Sequence, residues 1–385
     1  MDTIRIKTLL KLPENNFYFS QHKKAKEISD LHIPISGNRF IYTNLDWRNE
    51  MKEKEIYIPK YWIEESYRDP SITFLVLEFS VEKFLYGDNL TKYRPQDFDL
   101  LVLKLIEFLK KIGIIFFTHQ IYNFIPIVMA FAENIDLSDF CSCDLAITTL
   151  RPFNYRPRSK YRDIYFEDEM GREIHFGNGN SSLKVYEKFP EIFANAVTKR
   201  EKQLAEAWKK NKTERYGSDK TFIFETLRFE YTLKNKVAIK QKLRLYFNSY
   251  PTFKDIFSKM EIWGEILRRE IGSVFNYPLK NFMLLATTDK PTIDAFLEMH
   301  CKSIKVKDTA RGILQSLQEK GLRKTRQYYM KTYCRKTWYN YINLLMELEK
   351  QIDFSSLKNI STIDIHSHIM EKLGICTSHQ IKLDL

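Results

Sequence analysis

Tyr186, Lys188, Arg228 and Glu230 fall in two short segments where apolar and polar residues alternate, and Asp144 falls in a third. In an extended strand, neighbouring side chains point to opposite faces. Across residues 223–233, Leu227, Phe229, Tyr231 and Leu233 share one face, and Thr226, Arg228, Glu230 and Thr232 share the other. Across 181–187, Leu183 and Val185 oppose Lys184 and Tyr186, and Lys188 continues the polar side. Across 143–150, Leu145 and Ile147 oppose Asp144, Ala146 and Thr148. Three such strands in one sheet would gather Asp144, Tyr186, Lys188, Arg228 and Glu230 on one face.

That set could cleave a phosphodiester. Two carboxylates, Asp144 and Glu230, can hold Mg²⁺ or Mn²⁺, hard cations that take phosphate oxygens as further ligands. The cation would polarise the phosphate. A tyrosine hydroxyl is a poor nucleophile until a base or a metal activates it. Lys188 and Arg228 could hold phosphate oxygens. An antiparallel sheet with one wet face carries the same alternation. With 22 tyrosines in the chain, one in a strand is a weak signal. Alternation by itself leaves both readings open.

The elements that must position these residues are partly legible. The first ~90 residues read as strands and turns, with strand candidates at 3–12, 39–45, 55–59 and 72–79. Residues 95–112 switch to helical spacing, and Gly113 stops the stripe. The most apolar stretch, 112–132, contains His119, Gln120, Asn123 and Pro126, so it reads as buried core and not as a membrane span. A charged helix over 193–212 has almost no apolar stripe and reads as a solvated excursion. After residue 250 helical signals dominate. The expected fold is α+β: an antiparallel-sheet domain over 1–250, a smaller all-helical domain over 251–350, and an irregular tail over 351–385.

Charge points to the partner. The chain of 385 residues carries a formal net charge of +12, which favours a polyanion such as nucleic acid. Residues 301–340 hold much of that excess, a net +9, with Tyr328, Tyr329, Tyr333, Trp338 and Tyr339 interleaved. Two short helices meeting near 332–335 could form a helix-turn-helix. Lys324, Arg326, Lys331, Arg335 and Lys336 are then the candidate phosphate contacts, and Trp338 and Tyr339 the candidate stacking rings. A solvated basic helix pair packed on its aromatics is the competing reading. Five cysteines in no zinc-like spacing suggest reduced thiols. The opening Met1-Asp2-Thr3 alternates, so no secretory signal is expected there.

The same residues resemble a known family. Leu183-Lys-Val-Tyr-Glu-Lys188, followed by Glu191, resembles the segment with the nucleophilic tyrosine in filamentous-phage gene II replication proteins. Leu227-Arg-Phe-Glu230, running on to Lys234, resembles the strand after it. Ser80-Val-Glu-Lys-Phe-Leu-Tyr-Gly-Asp-Asn89 is similar to a serine–lysine–leucine–glycine–asparagine segment of that family. Cys143-Asp144-Leu-Ala-Ile resembles its acidic strand, and Arg335-Lys-Thr-Trp-Tyr-Asn-Tyr341 a basic aromatic helix near its C-terminus.

The resemblance implies a rolling-circle replication initiator. Such a protein nicks one strand at the origin through tyrosine, keeps a 5′-phosphotyrosine link, frees a 3′-OH and later rejoins the strand. It implies Tyr186 as nucleophile, Asp144 and Glu230 as ligands of a divalent metal (Mg²⁺ or Mn²⁺), and Lys188 and Arg228 as supporting catalytic residues. Its partners would be single-stranded or melted origin DNA and the host helicase and polymerase, with no membrane, in the bacterial host cytoplasm. A mobilisation relaxase with the same chemistry and a non-enzymatic origin-binding protein are the alternatives. The broader nickase superfamily often pairs two histidines on a metal. Here the His-x-His pair, His366 and His368, lies after the tyrosine, in the expected tail. His175 lies shortly before the tyrosine strand and reads as turn-proximal or as an extra ligand or base.

Overall fold

The computed structural model describes residues 2–10, 39–43, 47–66, 68–69, 72–150, 163–165, 173–214, 225–275, 285, 290–351 and 361–375. Among the described residues, nine strands form one sheet: β1 (Thr3–Leu10), β2 (Arg39–Thr43), β3 (Lys60–Glu65), β4 (Thr73–Ser80), β5 (Ile125–Asp136), β6 (Asp163–Tyr165), β7 (Glu173–Gly177), β8 (Ser181–Glu187) and β9 (Thr226–Leu233). Their order is β2-β3-β4-β1-β5-β9-β8-β7-β6, and every neighbouring pair is antiparallel. The helices between them are α1 (Trp47–Lys54), α2 (Val81–Tyr86), α3 (Phe98–Lys111), α4 (Thr118–Tyr122), α5 (Cys143–Leu150), α6 (Lys188–Asn195), α7 (Lys199–Glu214) and α8 (Lys236–Leu243). After them come α9 (Phe253–Ser258), α10 (Glu261–Phe275), α11 (Lys290–His300), α12 (Ile304–Thr332), α13 (Arg335–Gln351) and α14 (Ser361–Lys372). The fold is α+β, an antiparallel sheet followed by a mostly helical region, as the alternation and the later helical spacing suggest.

Period-2 patterning gives the sheet two unlike faces. Ile4, Ile6, Leu75, Leu77, Phe131, Val185, Leu227 and Phe229 line the apolar face and are buried. Phe275, at the end of α10, sets its ring edge-on to Phe176 and Phe229 across that face. The other face carries polar residues at matching register: Tyr186 stands opposite Arg228, and Arg228 opposite Asn134. One row on, Lys184 stands opposite Glu230, and Glu230 opposite Ala132. A second, small core formed by Phe189 and Ile192 of α6 with Ala205 and Trp208 of α7 has Leu90 packed against it.

The structure corrects several sequence expectations. Residues 143–150 form the helix α5, not a strand. Cys143, Ala146, Ile147 and Leu150 are buried at helical spacing, so the period of 3.6 outweighs the short alternation. β5, in the stretch read only as buried core, is a central strand, flanked by β1 and β9. The third of the early strands begins after Pro59, at Lys60, and not at residue 55. The charged helix is two helices, α6 and α7, with a break at Ala196–Thr198. There the Glu201 carboxylate accepts from Val197 N at 3.1 Å, and the Thr198 hydroxyl accepts from Glu201 N at 3.1 Å. Nor is α7 a solvated excursion, since Ala205, Trp208 and Glu201 are buried. Of the two short helices expected to meet near 332–335, the first is the long α12, 29 residues that run through Gly321.

The core does not divide at residue 250. Buried residues from Ile4 to Ile375 form one hydrophobic cluster. Phe253 N donates to Phe124 O at 2.8 Å, and α10 packs on β5 and β9. The expected tail includes α14, which packs against α5 and buries Ile365, Ile369 and Met370. Within it His366 Nε2 lies 3.0 Å from Phe275 O, and His368 stacks on Phe140. Cutting a fully buried isoleucine to alanine removes transfer energy and leaves a cavity. Ile369→Ala should therefore lower the unfolding free energy by about 2 to 5 kcal/mol in urea titration. A loss under about 0.5 kcal/mol, as for an exposed site, would return this segment to the status of a tail.

Candidate active site and nucleic-acid surface

The polar face is organised around a buried guanidinium. Arg228, in β9, has a side chain only 1% exposed. Its Nη2 pairs with Asp2 Oδ1 at 2.7 Å, and its Nη1 donates to Asn134 Oδ1 at 2.8 Å and to Asn89 O at 3.2 Å. Its Nε stands 4.0 Å from Glu230 Oε2. Asp2 is fixed by its own backbone: its N donates to Ala130 O, and its O accepts from Val81 N, each at 2.9 Å. Burial would raise the Asp2 carboxyl, but Arg228, Lys188 and Lys83 outweigh it and hold it at about 2. Burial disfavours the Arg228 cation, and the charges of Asp2, Tyr186 and Glu230 more than restore it.

Beside this pair stand Tyr186 and Glu230. Tyr186 Oη donates to Glu230 Oε2 at 3.2 Å, across the β8–β9 step. Burial, and after it the Glu230 charge, raise the Tyr186 hydroxyl well above its usual value. Burial and the Asp2 charge push Glu230 up to about 7, although Arg228 opposes them. Glu230 is therefore a carboxylate that can take a proton near neutral pH. Lys188 is the first residue of α6, fully buried, with its Nζ on Glu191 and 5.8 Å from the centre of the Tyr186 ring. Burial and the Arg228 charge lower its ammonium pKa.

The segment from Ser80 to Asn89 acquires a structural role. Ser80 caps α2, and Gly87 ends it in the left-handed region at φ 82°, where a side chain would be strained. The Asp88 carboxylate accepts from Leu90 N at 2.8 Å and Thr91 N at 2.7 Å and pairs with Arg200. This turn aims the Asn89 carbonyl at Arg228. Lys83 of α2 reaches Glu201 of α7 at 2.6 Å. Sequence reasoning missed Asp2, Asn134 and the Asn89 carbonyl, because their roles depend on contacts with strands remote in sequence.

Other expected residues fall elsewhere. Asp144 is exposed on α5, whose other side packs into the core against β8 and β9, so it does not share the face of Glu230. The Asp144–Glu230 pair therefore does not fit a shared divalent cation, and Glu230 has the Arg228 guanidinium beside it instead. Among the described residues no group of three or more His, Cys, Asp or Glu could hold a metal ion. Lys188 and Arg228 are too buried to grip a phosphate directly. His175 lies within β7, not at a turn, and is buried opposite Lys184. His366 and His368 are occupied in the packing of α14.

The basic C-terminal helices form an antiparallel hairpin, α12 against α13, joined at Tyr333 and Cys334. Lys331, Arg335 and Lys336 are exposed at its tip, with Tyr333 58% exposed. Arg326 is half-buried, and the Lys324 side chain lies outside the described residues. Trp338 is corrected from stacking ring to core: it is 2% exposed and packs on Tyr329, so its faces are not open to a base. Tyr339 is half-buried, with Arg335 over its ring at 5.6 Å. The described cysteines, Cys141, Cys143, Cys301 and Cys334, are free thiols. Among the described residues no helix is long and apolar enough to cross a membrane.

A family model for the N-terminal part of the gene II replication-associated protein matches residues 42–250, just over half of the chain and all of β8 and β9. No curated protein and no solved structure matches.

Removing one partner of a buried ion pair strands the other charge and costs about 3 to 5 kcal/mol. Asp2→Ala should lower stability by about that amount at pH 7, read from urea unfolding. The Asp2 carboxyl is held at about 2 against an ordinary 3.8, so its contribution is complete above that ordinary value and lost as pH falls through about 2. The deficit of the variant should close over the same window. Equal stability of variant and parent at pH 7 would sink the assignment.

Proposed function

The chain belongs to the gene II replication-associated protein family through residues 42–250, and from that premise we propose that it starts rolling-circle replication by nicking one DNA strand with Tyr186. The observation that carries this reading is the hydrogen bond from Tyr186 Oη to Glu230 Oε2, on the two strands whose motifs the family match spans. The tyrosine hydroxyl attacks the scissile phosphorus and passes its proton to Glu230. The phosphorus–O3′ bond breaks as the phosphorus–Oη bond forms. The leaving oxygen takes a proton from water and becomes a free 3′-OH, and the 5′ phosphate stays on tyrosine. Rejoining reverses these steps, with a 3′-OH attacking the phosphotyrosine.

The supporting residues act at one remove. Arg228 is a positioning residue: 4.0 Å from Glu230, it offsets the charge of that carboxylate without touching DNA. Lys188 places a second buried cation near the ring and eases charge on the phenolate oxygen as it forms. The substrate of this reading is single-stranded or melted origin DNA. The host helicase and polymerase would then use the displaced strand and the 3′-OH.

Tyr186→Phe keeps the ring and removes the attacking oxygen. It should form no covalent adduct with end-labelled origin DNA on a denaturing gel, while its thermal midpoint stays near that of the parent. Glu230 must be ionised to accept the proton, so the nicking rate should climb with pH and level off above about 7. Glu230→Gln should be slower by roughly 10²- to 10⁴-fold, with that rise gone. Asp144→Ala should nick supercoiled plasmid at the parental rate, because its side chain stands away from the pair. An adduct in the Tyr186→Phe chain would exclude this nucleophile.

The hairpin tip serves binding and not chemistry. Each phosphate contact contributes about 0.9 to the salt slope of log affinity on duplex DNA and about 0.7 on single strands. Neutralising Lys331, Arg335 and Lys336 together should make the slope shallower by roughly 2 to 3, with cleavage of a short substrate at saturation unchanged. An unaltered slope in a folded triple variant would mean that DNA is held elsewhere.

A further inference from the structure

The polar face of the sheet extends beyond the Tyr186–Glu230 pair. Register carries the same side of the sheet from β9 through β5 to β1, β4 and β3. Glu230 is opposite Ala132, and four residues along β5 Val128 is opposite Arg5. Arg5 is opposite Glu78, and Glu78 opposite Lys60. In the next row Lys7 faces Val76, and Val76 faces Trp62. Beyond it lie Leu9, Phe74 and Glu64. By strand geometry, Arg5 sits about 13 Å along the strands and about 10 Å across them from Glu230.

This part of the face has an unusual mixture for a sheet surface. Two aromatic rings, Trp62 and Phe74, are half-exposed, and Leu9 beside Phe74 is 52% exposed. Cations lie against the rings. The Arg5 guanidinium carbon is 5.4 Å and Lys60 Nζ 5.7 Å from the Trp62 ring, and Lys7 Nζ is 4.0 Å from the Phe74 ring. Trp62 Nε1 donates to Glu64 at 3.2 Å, which pins the indole in one orientation. Glu78 and Glu64 pair with Arg5 and Lys7. Exposed Lys236 follows β9 at the adjoining rim. Desolvation and the Lys7 charge together depress the Lys236 ammonium, so two cations crowd one another there. Four cations, Arg5, Lys7, Lys60 and Lys236, against two carboxylates leave the surface positive.

We propose that this half of the sheet face is a platform for the single-stranded DNA that adjoins the cleaved bond, with Trp62 as the stacking ring and Lys60, Arg5, Lys7 and Lys236 along its phosphates. The occupant is argued from two properties: the surface is positive and aromatic, which suits stacked bases on a polyanionic backbone, and it is continuous with the face that bears Tyr186. Cation and ring are already adjacent, so a base on the indole would bring its phosphates within reach of Lys60 and Arg5. The proposal extends the nicking reading and rests on it for the position of the cleaved bond.

The test uses the full chain carrying Tyr186→Phe, so that no bond is cut, and a fluorescent oligodeoxythymidylate of about 16 nucleotides, the upper end of common single-strand site sizes. Adding Trp62→Ala should weaken binding roughly tenfold, and Trp62→Phe should restore most of the loss. Lys60→Gln with Lys236→Gln should make the salt slope shallower by about 1.4. Thermal midpoints are measured for each variant. If Trp62→Ala proves unfolded, the Trp62→Phe chain and the lysine pair decide. Parental affinity and slope in folded variants would overturn the platform. Nicking by the chain with Tyr186 intact is assayed in parallel. Nicking with no effect of the platform variants defeats the platform alone, and weakened oligonucleotide binding with no nicking defeats the reaction alone.

Discussion

A guanidinium taken almost wholly out of water must be met by charge and hydrogen bonds from every side, because an uncompensated buried ion costs several kcal/mol. Arg228 imposes that requirement here, and the partners that meet it come from all over the chain. Asp2 arrives from the start of β1, Asn134 from β5, the Asn89 carbonyl from the turn after α2, and Glu230 from the next same-side position on β9. Each contact fixes an element: Asp2 ties the chain start to β5 and α2, and the Asn89 turn seats beside α7 through Asp88 and Arg200. The ion pair and the placement of these elements are one arrangement.

The electrostatics of the Tyr186–Glu230 pair follow from that arrangement. Two carboxylates, Asp2 and Glu230, face one guanidinium and titrate apart, the first held down to about 2 and the second pushed up to about 7. Neighbouring acids driven apart in this way hold different protonation states over one pH range. Asp2 stays ionised to hold Arg228. Glu230 keeps a proton affinity near neutrality, within hydrogen-bond reach of a tyrosine whose own hydroxyl resists ionisation. The buried cations compensate carboxylates within the sheet face, and exposed ones stand at the hairpin tip and on the β1–β3 face.

The sequence by itself determined what depends on local periodicity. Alternation placed Leu183 and Val185 against Tyr186, and Leu227 and Phe229 against Arg228 and Glu230, and β8 and β9 carry those faces as read. The ordered motifs around them named the family. Periodicity failed where two periods compete over few residues. Residues 143–150 satisfy strand alternation at Leu145 and Ile147 and helical spacing at Cys143, Ala146, Ile147 and Leu150, and the helix buries more. It also failed where a strand is long, apolar and central, as in β5, whose polar Asn134 gives no alternation to read.

Tertiary structure alone decided which polar residues meet. Nothing local marks Asp2 as the counter-ion of Arg228, since 226 positions separate them and only the β1–β5–β9 order brings them together. Nothing local separates Trp338, buried between two helices, from Tyr333, exposed at their junction. Sequence fixes which way a side chain faces on its own element, because backbone period is a property of neighbours along the chain. Whether that face meets water, a core or a counter-charge is set by the elements packed against it, and those are chosen by contacts far apart in sequence.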